Sequence, residues 1–260
     1  MTPENPLILV RLEDRPAGRI AFVTVNRPEK LNALNSAVMA AFVAAFDGLR
    51  EDTAVRAVVL SGAGDKAFIG GADVSELGGL DQGSARSFIT CVHACCEAVR
   101  DFPAPVIARI GGYVLGAGLE IAASCDLRVA SQTAVFGMPE VRLGIPSVVE
   151  AALLPQLVGW GRTREMLLLG ANFSAEDAHR WGLVERLTTA DGLDAAVEAW
   201  LTDLMACGAE AVRLQKGLIR RWEDLPLRAA IDAGIDAFEA AFETDEPRRM
   251  IDAFRAKPRG

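Results

Sequence analysis

Residues 111–126, GGYVLGAGLEIAASCD, are the stretch from which the rest of the chain can be read. The apolar run over 105–110, PVIARI, leads into it and has the length and composition of a buried strand. Gly111 and Gly112 end that strand. The small-residue turn Gly116-Ala117-Gly118 then opens a short apolar segment with helical character. The first N–H groups of a helix have no partner within it, and the helix dipole favours negative charge there. Such a turn can hold an anion, or an oxygen that gains negative charge during a reaction. Glu120 falls in the first turn of the same segment. Two readings stand for these residues. One is an oxyanion-stabilising turn with a catalytic carboxylate beside it. The other is a dipole-stabilising Glu on a helix whose small residues permit close packing.

A second carboxylate lies downstream, in FGMPEVRLGIP at 136–146, where Glu140 follows a proline in a turn-rich, otherwise apolar stretch. Two carboxylates in apolar surroundings can be driven to different pKa values, one serving as acid and the other as base.

Two further segments, RPEKLNAL at 27–34 and AFIGGAD at 67–73, complete a set of four. In this order, and spread over most of the chain, they resemble the crotonase superfamily, most closely its enoyl-CoA hydratases. The resemblance implies an α/β fold, a spiral of repeated β-β-α units over 1–195, followed by a helical trimerisation region over 196–260. It implies that the backbone N–H groups of Ala72 and Ala117 hold a thioester oxygen and that Glu120 and Glu140 hold a water. It carries ligand contacts onto Arg27, Lys30, Ala33, Gly70, Gly71, Asp73 and Gly116, and onto Phe254 and Lys257 near the C-terminus. The implied activity is addition of water across the 2,3 double bond of a 2-enoyl-CoA. Coenzyme A is then part of the substrate, and no metal or redox cofactor is required. Its phosphates need basic partners, for which Arg27, Lys30 and Lys66 stand in loops near the motifs.

The chain departs from the family pattern at two points. Ala117 stands where glycine is frequent, which preserves the backbone donor provided its φ is negative. After Ile145-Pro146, a Gly-rich turn gives way to Ser147-Val-Val-Glu150, which alters the acyl pocket. Glu150 has two readings. Ser147 and Glu150 have the Ser-x-x-Glu spacing of a capping box. Alternatively, Glu150 is a third carboxylate facing the acyl pocket and acting on Glu140.

A length of 260 residues allows one large core or two small domains. The composition is that of a folded soluble protein without disorder, and no apolar run reaches membrane-spanning length. The N-terminus lacks the basic region of a signal or transit peptide, which predicts a cytoplasmic protein. A net charge of −8 with no Lys/Arg stripe argues against nucleic acid. Five cysteines without a secretory signal read as reduced thiols. Cys91, His93, Cys95 and Cys96 have a metal-like density, but on a helix His93 points away from the face that Cys91 and Cys95 share. Gly62, Gly64 and Ala67 mimic a dinucleotide fingerprint, yet the helix that should follow is replaced by a second turn at 68–73.

Apolar patterning places strands over 7–12, 19–25, 55–60, 105–110, 126–130 and 184–187. It places helices over 36–50, 81–100, 148–158, 162–169 and 175–181, then four amphipathic helices over 193–207, 209–222, 227–242 and 246–256. Surplus apolar faces on these last four predict a homo-oligomer, a trimer or a dimer of trimers. Isomerisation, thioester hydrolysis and decarboxylation remain as alternatives that use the same oxyanion hole. A non-catalytic acyl-CoA-binding protein is the alternative from another class.

Overall fold

A computed structural model of the chain describes residues 6–256. Strands β1 (Ile8–Arg15) and β2 (Gly18–Val25) form an antiparallel hairpin. Helix α1 (Ser36–Arg50) follows, N-capped by Asn35, whose side chain accepts the Val38 N–H at 2.9 Å. Its buried residues Val38, Met39, Phe42, Phe46 and Leu49 recur at helical spacing and face one core.

The chain then repeats one unit, in which a strand is followed by a shorter strand and then by helix. The first unit is β3 (Val55–Gly62), β4 (Ala67–Ile69), α2 (Val74–Leu77) and α3 (Gln82–Arg100). The next is β5 (Val106–Ile110), β6 (Tyr113–Leu115) and α4 (Ala117–Ser124). The third begins with β7 (Leu127–Ser131) and β8 (Val135–Gly137). It continues through 3-10 turns at Glu140–Leu143 and Val149–Leu153, α5 (Leu154–Leu169), β9 (Asn172–Ser174) and α6 (Ala175–Arg180). The chain closes with β10 (Arg186–Thr188), α7 (Leu193–Ala206), α8 (Ala209–Trp222), α9 (Leu227–Ala241) and α10 (Glu246–Ala256).

The long strands build one sheet in the order β1-β2-β3-β5-β7-β10, parallel from β2 onward. The short strands build a second, β4-β6-β8-β9, in which the first three run parallel. Strand order follows chain order in both, so the molecule is a spiral in which each turn adds one strand to each sheet. Buried residues alternate between two cores. One face of the long sheet packs Ile20, Ala57, Val59, Ile107 and Val129 under Leu193, Val197 and Leu201 of α7. The other face packs Val58, Leu60, Val106 and Ala108 toward α1, α3 and α4. Burial on both faces explains why these strands read as continuous apolar runs.

The sequence expectations differ from the structure in a few places. The span 68–73, expected as a turn, begins with β4, and β6, β8 and β9 were not anticipated. The helix expected over 148–158 is a 3-10 turn running into α5, and Gly159, at φ 76° and ψ 158°, breaks α5 where Gly159-Trp-Gly161 predicts an interruption. The last strand begins at Arg186, two residues later than expected.

Candidate active site

The loop RPEKLNAL and the turn after β4 build one wall of the site. Asn32 is fully buried. Its Nδ2 donates to the carbonyls of Ala63 at 3.0 Å and Ala67 at 2.9 Å, and its Oδ1 accepts the Arg27 N–H at 3.0 Å. The loop is thereby anchored, and its backbone grips the next turn: Gly70 N–H donates to Leu31 O, Leu34 N–H to Gly71 O, and Asp73 N–H to Leu34 O. These bonds use the N–H of Asp73 and the C=O of Gly71, in the pattern of a parallel bridge between Leu34 and Ala72. The N–H of Ala72 therefore faces the opposite way, and it has no hydrogen-bond partner among the described residues.

Arg27 and Asp73, expected as ligand contacts, are instead turned on each other. Arg27 Nη1 donates to Asp73 Oδ2 at 2.5 Å and to Ala33 O at 3.3 Å. Asp73 also caps α2 by accepting the Ser75 N–H at 2.9 Å. The guanidinium beside it holds the Asp73 carboxyl below the usual carboxylate range. Lys30 and Lys66 are exposed.

The opposite wall is α4. Gly116 has φ 51°, and a Cβ there would collide with Glu140 Oε1, so only glycine fits. Gly118 lies so close to β4 that a Cβ would meet Ile69 O. Ala117, the first helical residue, has a negative φ, and its N–H has no partner among the described residues. The Gly-Ala-Gly turn thus brings an orphan N–H and the Glu140 carboxylate to one place.

All eight residues of α4 are buried, Glu120 included, at 3% exposure. Burial, the nearby Glu140 and Glu150 push the Glu120 carboxyl up to about 8, against the opposing N–H groups of Ala151 and Val148. The Ala151 N–H lies 3.3 Å from Glu120 Oε1. Glu140 opens a 3-10 turn and is half-buried. Its Oε2 accepts the Ser147 hydroxyl at 2.8 Å.

That bond overturns the capping box, since Ser147 is engaged with Glu140 rather than with the backbone of the following turn. The turn is N-capped by Val148 without any side-chain bond. Val149 adopts φ 39°, a costly conformation for a β-branched residue. Glu150 lies behind this kink, 4% exposed, with Oε1 at 2.7 Å from His93 Nδ1 and at 4.0 Å from Arg100 Nη1. It lines neither cavity described below, where the sharper expectation places it, and its charge helps raise the Glu120 carboxyl.

A cavity of about 310 Å³ brings together Gly70, Gly71, Ala72, Gly116, Ala117, Glu120 and Glu140. Its wall includes Arg142, Phe88, Ile89 and Val92, which the sequence reading missed. Phe88, Ile89 and Val92 have the i, i+4 spacing of a core-facing helix and nothing in it marks a ligand wall. Arg27, Lys30, Ala33 and Asp73 do not line this cavity, nor does Phe254, which is 76% exposed on α10. Lys257 lies outside the described residues. A larger cavity of about 890 Å³ adjoins it along Val74, Leu77, Phe88, Ile89, Ile145 and Val148. Among the described residues, no group of three or more His, Cys, Asp or Glu could hold a metal ion, and Cys95 and Cys96 are core residues.

Residues 15–259 match the family model described as enoyl-CoA hydratase/isomerase. The short-chain-enoyl-CoA hydratase of Clostridium acetobutylicum is 35% identical over 241 residues, covering 92% of each chain. The crotonyl-CoA hydratase of Syntrophomonas wolfei is 32% identical over 240 residues, again covering 92% of each. A crystal structure of an enoyl-CoA hydratase from Mycobacterium smegmatis superposes with a TM-score of 0.92 at 32% identity, covering 98% of both chains. By motif order, spiral topology and overall likeness, the chain belongs to the enoyl-CoA hydratase/isomerase family of the crotonase superfamily.

Proposed function

We propose that the protein hydrates the 2,3 double bond of a 2-enoyl-CoA thioester, without a cofactor beyond the coenzyme A of its substrate. The observation that carries this is the meeting, in one 310 Å³ cavity, of Ala72 and Ala117 with Glu120 and Glu140. The N–H groups of both alanines are free of partners among the described residues. In this reading the thioester oxygen sits between the two N–H groups and a water between the two carboxyl groups. As the water oxygen bonds to C3, the π electrons move toward C2 and the thioester oxygen. Each preorganised donor lowers the barrier by about 3 kcal/mol. One carboxyl group takes a proton from the water and the other gives one to C2, so the pair still holds one proton, now on the other carboxyl, and its return resets the site. Two neighbouring carboxylates do not both ionise cheaply, and burial with the nearby Glu140 raises the Glu120 carboxyl to about 8.

The presence of both acids favours hydration over isomerisation, which needs one base. Burying Glu120 costs stability without a catalytic return, which counts against a purely binding role. Exposed Lys30 and Lys66 flank the Gly70–Asp73 turn and suit coenzyme A phosphates. We assign catalysis to a core over 1–195 and assembly to the helices over 196–260. A row of exposed apolar residues on α9, Leu227, Ile231, Ile235 and Phe238, supports a homo-oligomer, a trimer or a dimer of trimers. Five unpaired thiols support a reducing, cytoplasmic setting.

The test is ultraviolet loss of the conjugated thioester on mixing the protein with crotonyl-CoA and with longer or branched enoyl-CoAs. Glu120→Gln and Glu140→Gln should each lower turnover about 10²-fold or more while coenzyme A affinity changes little. Silence with every enoyl-CoA, or wild-type turnover in both variants, would overturn the proposal.

A further inference from the structure

We propose that His93, oriented by Glu150, recognises a hydroxyl group on the distal part of the acyl chain and so selects hydroxylated acyl-CoA thioesters. The inference rests on the acyl-CoA reading of the site and goes on to name the acyl class. Ile89 of α3 lines both cavities, whereas His93 lines only the larger. Residues four apart share a helix face, so His93 lies one turn, about 5 Å, beyond Ile89. A chain that enters past Ile89 reaches His93 further along.

The imidazole is held for recognition. Its Nδ1 is 2.7 Å from Glu150 Oε1. Glu150 is buried, and its Oε2 has no partner among the described residues, so the imidazole is the main hydrogen-bond partner of that carboxylate. With Nδ1 engaged by Glu150, Nε2 is the ring nitrogen left for a ligand. The nearest carboxylate to Nε2, Glu97 Oε2, is 3.6 Å away, beyond hydrogen-bond length.

The surroundings choose the ligand group. Around His93 the wall is apolar, with Phe88, Ile89, Ile145 and Val149. The other polar lining residues, Asp81, Gln82, Arg86 and Thr90, are exposed. One fixed hydrogen-bonding atom in an apolar wall orients a ligand rather than solvating it. Glu97 and Glu150 on either side of the ring disfavour an anionic tail. A neutral hydroxyl, which both donates and accepts, is the group that fits.

The experiment is calorimetric binding of saturated thioesters, which needs no turnover. Hexanoyl-CoA is compared with ω-hydroxyhexanoyl-CoA, and the butanoyl and octanoyl pairs are measured alike. At one of these lengths the wild-type protein should bind the hydroxylated chain up to about tenfold tighter, the effect of one hydrogen bond. His93→Leu should abolish the preference and leave the affinity for the plain chain within about twofold. His93→Gln, which retains a hydrogen-bonding group, should keep part of it. Equal affinity within all three wild-type pairs overturns the inference whether or not the variants fold, and so does a preference that survives in His93→Leu. A preference without crotonyl-CoA hydration overturns the hydratase reading alone. Failure to bind any of these thioesters overturns both.

Discussion

The hydroxyl of Ser147 donates to Glu140 Oε2 at 2.8 Å, joining the first residue of the altered loop to a carboxylate of the site. The bond fixes one oxygen of Glu140 and leaves the other facing Gly116. Ser147→Ala should lower kcat about fivefold, as expected for one lost hydrogen bond to a charged group, with little change in KM. Its melting temperature should stay close to that of the wild type. Steady-state hydration of crotonyl-CoA checks this, and an unchanged kcat refutes it.

Glu120 ties the site to pH. In the folded chain it keeps its proton up to about 8, whereas an unperturbed carboxyl releases it near 4.5. Across that interval the unfolded chain binds fewer protons than the folded one, so this group makes stability fall as pH rises from 4.5 to about 8. Glu120→Gln removes the titration. The variant should gain on the wild type by a few kcal/mol at most above about pH 8, and by little near pH 5. Urea unfolding at the two pH values measures the difference, and a constant gap would count against it.

Glu150 raises the Glu120 pKa through its charge. Glu150→Gln should therefore move the alkaline limb of kcat/KM for hydration to lower pH. A limb that stays in place would refute the coupling between Glu150 and Glu120.

The Arg27–Asp73 pair holds the turn that carries Ala72, and the two side chains are 17% and 12% exposed. Arg27→Ala leaves Asp73 with a largely buried charge and should cost about 2 kcal/mol, less than a fully buried pair. It should also lower kcat, because the Ala72 donor loses its support. Denaturation and hydration kinetics on the same sample test both effects. Loss of stability at full kcat would show that the turn holds its shape without the pair.

The apolar row on α9 leads to a test of assembly. Ile235 and Phe238 are 62% and 71% exposed in the single chain. Ile235→Asp and Phe238→Asp should each shift sedimentation toward monomer while circular dichroism stays unchanged. A wild-type protein that sediments as a monomer at micromolar concentration would contradict the proposed oligomer.

Much of the spiral was legible in the chain. The apolar runs at 55–60 and 105–110 become β3 and β5. The turn at Gly116 and the acid at Glu120 stand where the motif places them. The second sheet was not legible, because strands of three residues such as β4 and β6 are too short to display an alternation. Ser147 and Glu150 carry the spacing of a capping box, but the positive φ of Val149 sends the two side chains to different partners. The Arg27–Asp73 pair spans 46 residues, a separation at which no local pattern operates.

The spiral also governs when the site can come into being. Ala72 lies just after β4, Ala117 just after β6, and Glu140 shortly after β8, one on each of three successive turns. Because such stacked turns meet mainly their neighbours, they behave as links in a row, each stabilised by the link before and after it. A partly wound chain with two neighbouring links in place has both donors with one acid, or both acids with one donor, and never the full set. The middle link, which holds both Ala117 and Glu120, is gripped from both sides, so local opening should reach it last. The reacting geometry is thus stored in the most protected segment of the row, while the loop around Ser147 at the end of the third link stays open to change.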